Sequence, residues 1–404
     1  MTEHSPTADA PARRSKRTAL FVAICLIGIP IALSGFDHLV GVIGKVGGIG
    51  NTSPKHLLFP SGSRVRHQSA EFDVEVVVSQ QGLRDRDYPQ VPDRNGTRLV
   101  AIGDSFTFGW GMQADQAWPK VLQRLAASQD NTLEVINFGF PGASPNDYSR
   151  MISQALDHFQ PDIVLVGTLQ GDDLIQLVEQ EAEEVEWRSQ WGERLFPTLV
   201  GWLKPNPPTM ESYRSVFLKS QAYLRSTLTP EQQQRYQNLS PGVRQAFQSG
   251  LLNPSLLHTA MTNPGRFAEP VTGAVAWRGD AKSKLRRCVR QWAGLCRNAQ
   301  AELKVVIVPD GPYVSRAAAE GMKAVGYDVP ESLIETTVCQ DVVIEICEAE
   351  GIAVINPVAE FRRAARAREA GDSDQPPDYF ELDGHFTVSG QRRLGEAVSR
   401  LIRP

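Results

Sequence analysis

The stretch Arg98-Leu-Val-Ala-Ile-Gly-Asp-Ser-Phe-Thr-Phe-Gly-Trp-Gly111 constrains the fold more than any other part of the chain. An aliphatic run, Leu99 to Ile102, breaks at Gly103-Asp104-Ser105 and passes into a loop holding Gly109 and Gly111. Apolar run, sharp turn and hydroxyl together describe a serine lifted out at the carboxyl end of a parallel strand. That edge is where open α/β sheets place their ligands. The triplet alone is weak, because Gly, Asp and Ser are ordinary turn residues. Ser105 is nevertheless the candidate nucleophile.

The same rhythm recurs downstream. Leu133–Phe138 reads as a second strand ending in Gly139-Phe-Pro-Gly142, and Asp162–Val166 as a third ending near Gly171-Asp172-Asp173. Leu303–Val308 and Ile352–Ile355 supply a fourth and a fifth. Helical patterns fall near 117–127, 145–159, 281–301, 332–350 and 388–402. Alternation of this kind predicts an α/β fold, a doubly wound parallel five-stranded sheet with right-handed crossovers. From about 175 to 280 the rhythm stops. An acidic run (Glu179, Glu181, Glu183, Glu184, Glu186) is followed by scattered Pro, Gln, Trp and Tyr. This segment reads as a mostly helical insertion, either a lid over the strand ends or an appendage remote from them.

The amino-terminal region is of another kind. Residues 1–17 are polar and end in Arg13, Arg14, Lys16 and Arg17, whereas Thr18 to Phe36 carry no charge. That apolar run can cross a hydrocarbon core of about 30 Å at 1.5 Å per residue. The basic flank predicts a cytoplasmic amino terminus with the rest of the chain outside, in the periplasm or beyond. Small residues at Ala32-Leu33-Ser34 leave a removed signal peptide open, while the length of the run favours a retained membrane anchor. Residues 37–94 read as a tether with a leading strand at Glu71–Val78, ahead of a domain over 95–404. The net charge of −4 gives no electrostatic case for a nucleic-acid partner. Five cysteines occur without a C-x-x-C pair, and neither a G-x-G-x-x-G nor a Walker pattern is present, so nothing calls for a metal or a cofactor.

A serine needs a neighbouring base, usually a histidine oriented by a carboxylate. Of the seven histidines, His4 and His38 flank the apolar segment and His56 and His67 lie in the tether. His158 ends a helical pattern and His258 sits in the insertion. Only His385 occupies a loop of the α/β core with a carboxylate close by, Asp383. Donors toward an oxyanion are expected from the Ser105 amide, from Gly142 and from the Gly171-Asp172-Asp173 loop.

These blocks resemble the SGNH (GDSL-type) hydrolase superfamily. The first matches at Gly103-Asp104-Ser105, the second at Asn137-Phe-Gly-Phe-Pro-Gly142, the third loosely at Gly171-Asp172-Asp173 and the last at Asp383-Gly-His385. The resemblance covers about 95–175 and 281–404. It implies a three-layer flavodoxin-like fold and a serine esterase acting on small acyl esters, with Ser105 as nucleophile, His385 as base and Asp383 as its orienting partner. Its oxyanion residues would be Ser105, Gly142 and Asp172. Two departures stand out. The third block usually carries Asn where this chain has Asp172, and an ionised Asp is acceptor-only. The last block usually places Asp three residues before His rather than two, a spacing similar to that of some extracytoplasmic members, polysaccharide O-acetyltransferases among them. The expected partner is a small acyl ester or an acylated envelope glycan. An O-acyltransferase with the same triad and a non-catalytic glycan-binding module are the alternatives.

Cys288 and Cys296 repeat the spacing of Cys339 and Cys347 on the helices before the fourth and fifth strands. Those helices are expected side by side. Equal spacing then permits two disulfides, Cys288–Cys339 and Cys296–Cys347, with four core thiols as the alternative.

Overall fold

The computed structural model describes residues 28, 31–36, 61–92, 96–127, 132–179, 212–272, 275–400 and 402. Residues 31–36 are helical. The tail 1–17, most of the expected anchor, tether residues 37–60 and the acidic run beyond Glu179 lie outside the described residues. Among the described residues no helix is long and apolar enough to cross a membrane. Residues 53–181 and 208–404 form one compact unit, to which everything below refers.

Strands β1 (Arg64–Gln68) and β2 (Asp73–Val77) make an antiparallel hairpin; β3 (Thr97–Gly103) then opens the main sheet. It is followed by α1 (Ser105–Phe108), α2 (Trp118–Ala127), β4 (Leu133–Gly139), α3 (Pro145–Phe159), β5 (Ile163–Leu169) and α4 (Asp172–Glu179). Among the described residues, five helices occupy the insertion: α5 (Tyr213–Ser226), α6 (Pro230–Asn238), α7 (Pro241–Gln248), α8 (Pro254–Thr262) and α9 (Ala268–Thr272). The core resumes with α10 (Val275–Asn298), β6 (Glu302–Val308), α11 (Arg316–Val325), α12 (Val338–Ala349), β7 (Ala353–Ile355), α13 (Val358–Glu369) and α14 (Val388–Ser399).

The main sheet is parallel throughout, in the order β4-β3-β5-β6-β7. The chain therefore winds one way from β3 to β4 and the other way from β5 onward. The reversal between β3 and its neighbours is the switch point at which such sheets bind ligands. Leu99 to Ile102, Val164 to Val166 and Val305 to Val308 are fully buried. Helices cover both faces of these strands, and strands so covered read as unbroken aliphatic runs rather than alternating ones. One helical layer joins α2 to α14, and the other joins α10 to α3, α4 and α12.

Two sequence expectations change. The insertion's prolines are start signals rather than irregularities. Thr229, Ser240 and Asn253 cap α6, α7 and α8 by accepting first-turn amide hydrogens, and Pro230, Pro241 and Pro254 take the first helical position, where no amide hydrogen is needed. The tether also ends sooner than expected, because residues 64–68 pair with β2.

The disulfides are not formed. The cysteine-bearing helices α10 and α12 are neighbours, as expected. Cys288, Cys296, Cys339 and Cys347 are nevertheless all free and buried. Cys288 turns its thiol toward Asn146 Oδ1 on α3, 3.8 Å away, rather than toward a partner cysteine. Burial pushes all four thiols up, to between about 11 and about 12, as expected of inert packing residues.

Gly321 on α11 lies under the loop that carries His385. A β-carbon there would stand 1.8 Å from the Glu381 carbonyl oxygen, a backbone atom that cannot swing away. Gly321→Ala should therefore cost about 1–3 kcal/mol, the range for overpacking a filled site, read as a fall in the denaturant midpoint at unchanged slope.

Candidate active site

Ser105 stands where the first block places it, half-buried at the start of α1 and two residues beyond the end of β3. Asp104 caps this single turn, its Oδ1 accepting the Phe106 amide hydrogen at 2.9 Å. As the first helical residue, Ser105 holds one of the amides that helix geometry leaves without an intrahelical acceptor. Both Gly109 and Trp110 donate their amides back to the Ser105 carbonyl, at 3.1 and 3.0 Å. Arg84 closes the other end of the turn. It is buried, and its guanidinium donates to the carbonyls of Phe108, Gly109 and Met112, a cation at the negative end of the peptide dipoles.

His385 arrives from the far end of the chain. Its Nε2 lies 2.7 Å from Ser105 Oγ, and its Nδ1 lies 2.6 Å from Asp383 Oδ1. A carboxylate only accepts, so the proton sits on Nδ1 and Nε2 is left to accept from the serine hydroxyl. Gly384 between the two has φ +79°, a left-handed conformation that lets Asp383 and His385 face the same way at the shorter spacing. The imidazole is held between Phe106, 4.7 Å away by ring centroids, and Trp110, 5.4 Å away. Trp110 also donates its indole N–H to the second Asp383 oxygen at 3.2 Å.

Burial by itself would lower the His385 pKa, but the charge and hydrogen bond of Asp383, helped by Asp104 and Asp310, raise it above the ordinary value. Asp383 moves the other way. Burial opposes its charge, yet the charge and hydrogen bond of His385, with the Trp110 hydrogen bond, hold it below the usual carboxylate range. Asp104 and Asp310, at the ends of β3 and β6, are each pushed up to about 7, chiefly by burial.

The remaining expected residues separate. Gly142 is exposed in the turn from Phe140 to Ala143, and Phe140 donates its amide to the Gly103 carbonyl at 2.9 Å, so this loop sits beside the end of β3. It borders a cavity of about 170 Å³ lined partly by Phe138, Phe140 and Met151. Asp172 opens α4 with both oxygens already accepting, one from Arg266 at 2.7 Å and the other from Gln176. It offers no hydrogen to an oxyanion in this geometry. Gln170 does not substitute for it, being fully buried and donating to Gln340 at 2.7 Å. The cation in this corner is Arg266, from the insertion.

Several contributors left no mark in the sequence. Glu71, in the turn of the β1–β2 hairpin, accepts the amides of Glu381, Leu382 and Asp383 at 2.6, 3.1 and 2.8 Å. Burial raises its pKa, against the pull of those three hydrogen bonds. His67, which the tether expectation leaves in solvent, is fully buried against Phe72, Trp110 and Tyr213, and burial takes its pKa down to about 3, so it is a neutral ring in an aromatic wall.

Residues 99–186 match the GDSL-like lipase/acylhydrolase family. A stretch of 77 residues is 29% identical to an arylesterase of Vibrio mimicus, covering 19% of this chain and 38% of that protein. Among solved structures, an acetyl xylan esterase (AlAXEase) aligns over 76% of this chain and all of its own, at 9% identity and a TM-score of 0.39. A catalytic mutant of an acetylxylan esterase from Geobacillus stearothermophilus aligns over 76% and 94%, at 12% identity and a TM-score of 0.36.

The ionisation of His385 makes Ser105 reactivity pH-dependent. Below its pKa the imidazole is protonated and cannot accept the serine hydrogen; above it, it can. Phosphonylation of Ser105 by a fluorophosphonate should therefore rise with pH through a midpoint above the ordinary imidazole value of about 6.5, and fall about tenfold per pH unit well below it.

Proposed function

We propose that this chain, a member of the SGNH (GDSL-type) hydrolase superfamily, is a serine esterase that hydrolyses small acyl esters outside the cytoplasm. The observation that carries this is the unbroken line Ser105 Oγ, His385 Nε2, His385 Nδ1, Asp383 Oδ1, with both links at hydrogen-bond length. Ser105 attacks the acyl carbonyl as His385 takes its proton. The negative charge on the carbonyl oxygen meets the Ser105 amide and the Gly142 loop. His385 then returns the proton to the departing alcohol, and a water activated by the same ring releases the acid.

The same geometry weighs against a non-catalytic binding module, which has no use for a buried carboxylate tuned to an imidazole. The basic, apolar amino-terminal segment supports placing the domain outside the cytoplasm, and that location supports an acylated envelope glycan as the substrate. An acyltransferase differs only in passing the acyl group to a sugar hydroxyl instead of water. Adding an oligosaccharide acceptor and measuring the ratio of free acid to acylated sugar separates the two.

The full-length chain should turn over p-nitrophenyl acetate. Ser105→Ala and His385→Ala should each lower kcat by about 10⁴-fold or more while leaving thermal unfolding in place. Turnover that survives both substitutions would sink the proposal.

A further inference from the structure

We propose that Glu71 is a positioning residue for the Ser105–His385–Asp383 centre, and that the leading hairpin is thereby part of the active site. The inference rests on the esterase reading above and deepens it. Three consecutive amides, those of Glu381, Leu382 and Asp383, converge on one carboxylate, with Oε1 taking the first and Oε2 the other two. Successive amides turned to one side form an anion-binding concavity. Here the anion is a side chain some 310 residues earlier in the sequence.

The last of these amides belongs to Asp383 itself, so the bond that seats it also sets the direction of the carboxylate holding His385. The hairpin turn is braced on its own side. Ser69 Oγ accepts the amides of Glu71 and Phe72 at 3.0 and 3.2 Å, and Phe72 packs on Phe380, 5.0 Å between ring centroids, at the root of the same loop. Glu71 is thus presented from a fixed turn to a loop whose three amides no other side chain accepts among the described residues.

An amide cannot take its place. Glu71→Gln keeps the shape but has one accepting oxygen, and its NH₂ would face a backbone N–H. If Glu71 sets the bearing of the imidazole, kcat falls and substrate binding does not. If it merely pins the hairpin, stability falls and the folded enzyme is unchanged.

The test uses the full-length chain, with reactive sites counted by fluorophosphonate titration and p-nitrophenyl acetate as substrate. Glu71→Gln should lower kcat per reactive site about 10²-fold, the usual cost of a small misplacement, with KM held within about twofold. The downfield proton resonance of His385 Nδ1 should broaden or disappear. Asp73→Ala, which removes an exposed carboxylate paired with Arg66 on the same hairpin, should change neither. A Glu71→Gln enzyme with undiminished kcat and an intact Nδ1 resonance, or one altered only in thermal midpoint, overturns the proposal. If Glu71→Gln does not fold, Glu71→Asp keeps the charge, shortens the reach by one methylene and carries the same expectations. A wild-type chain without ester turnover refutes the esterase reading, while the Nδ1 resonance still decides the role of Glu71.

Discussion

The hydrogen bond between Ser105 and His385 joins residues 280 positions apart, and nearly every local feature around it serves to keep those two side chains at one place. A serine hydroxyl has no useful nucleophilicity at neutral pH without an acceptor for its proton. The acceptor must be within reach, correctly tautomeric and still. The parallel sheet meets the first requirement by ending β3 beside the segment that leads into α14. Asp383 meets the second, and the Phe106 and Trp110 rings meet the third by leaving the imidazole little room to turn.

Electrostatically the corner is unusual for the number of carboxylates it buries. Asp104, Asp310 and Asp383 all act on His385, and Asp172 and Asp173 stand nearby. A buried carboxylate is costly when ionised, and the structure resolves this in different ways. Asp383 is stabilised by the histidine and the indole. Asp172 is paired with Arg266. Asp173, fully buried and bonded to the Tyr148 hydroxyl, is driven well above its usual range by burial. Asp104 and Asp310 are each pushed up to about 7, chiefly by burial. Together Asp383, Asp104 and Asp310 favour the charged form of the His385 ring.

Much of this was legible in the sequence, for a physical reason. Strands covered on both faces must be aliphatic along their whole length, so all five core strands declare themselves, and the loops at their carboxyl ends carry Ser105, Gly142 and Asp172. His385 could be found because it alone of the histidines reads as part of a loop of the α/β core with an acid two residues away. What escaped detection depends on pairing across long distances. Residues 64–68 read as tether because their neighbours are Gly, Pro and Ser, and nothing local says that β2 will claim them. Glu71 is an unremarkable acid in a turn until three amides from the other end of the chain meet it. The paired cysteines misled because equal spacing fixes which helices face each other but not which way a thiol points. Arg266 was hidden in the segment with least pattern, and its pairing with Asp172 could not be read there.

The segment bearing Asp383 and His385 is nearly the last of the chain, whereas the hairpin that seats it is among the first parts of the compact unit to be made. Contacts of such long sequence separation form late, after the loop-closure entropy of the whole domain has been overcome. An unfinished or clipped polypeptide can therefore possess a complete sheet and an exposed serine and still be chemically silent. Ser105 gains an acceptor for its proton only when the two ends meet.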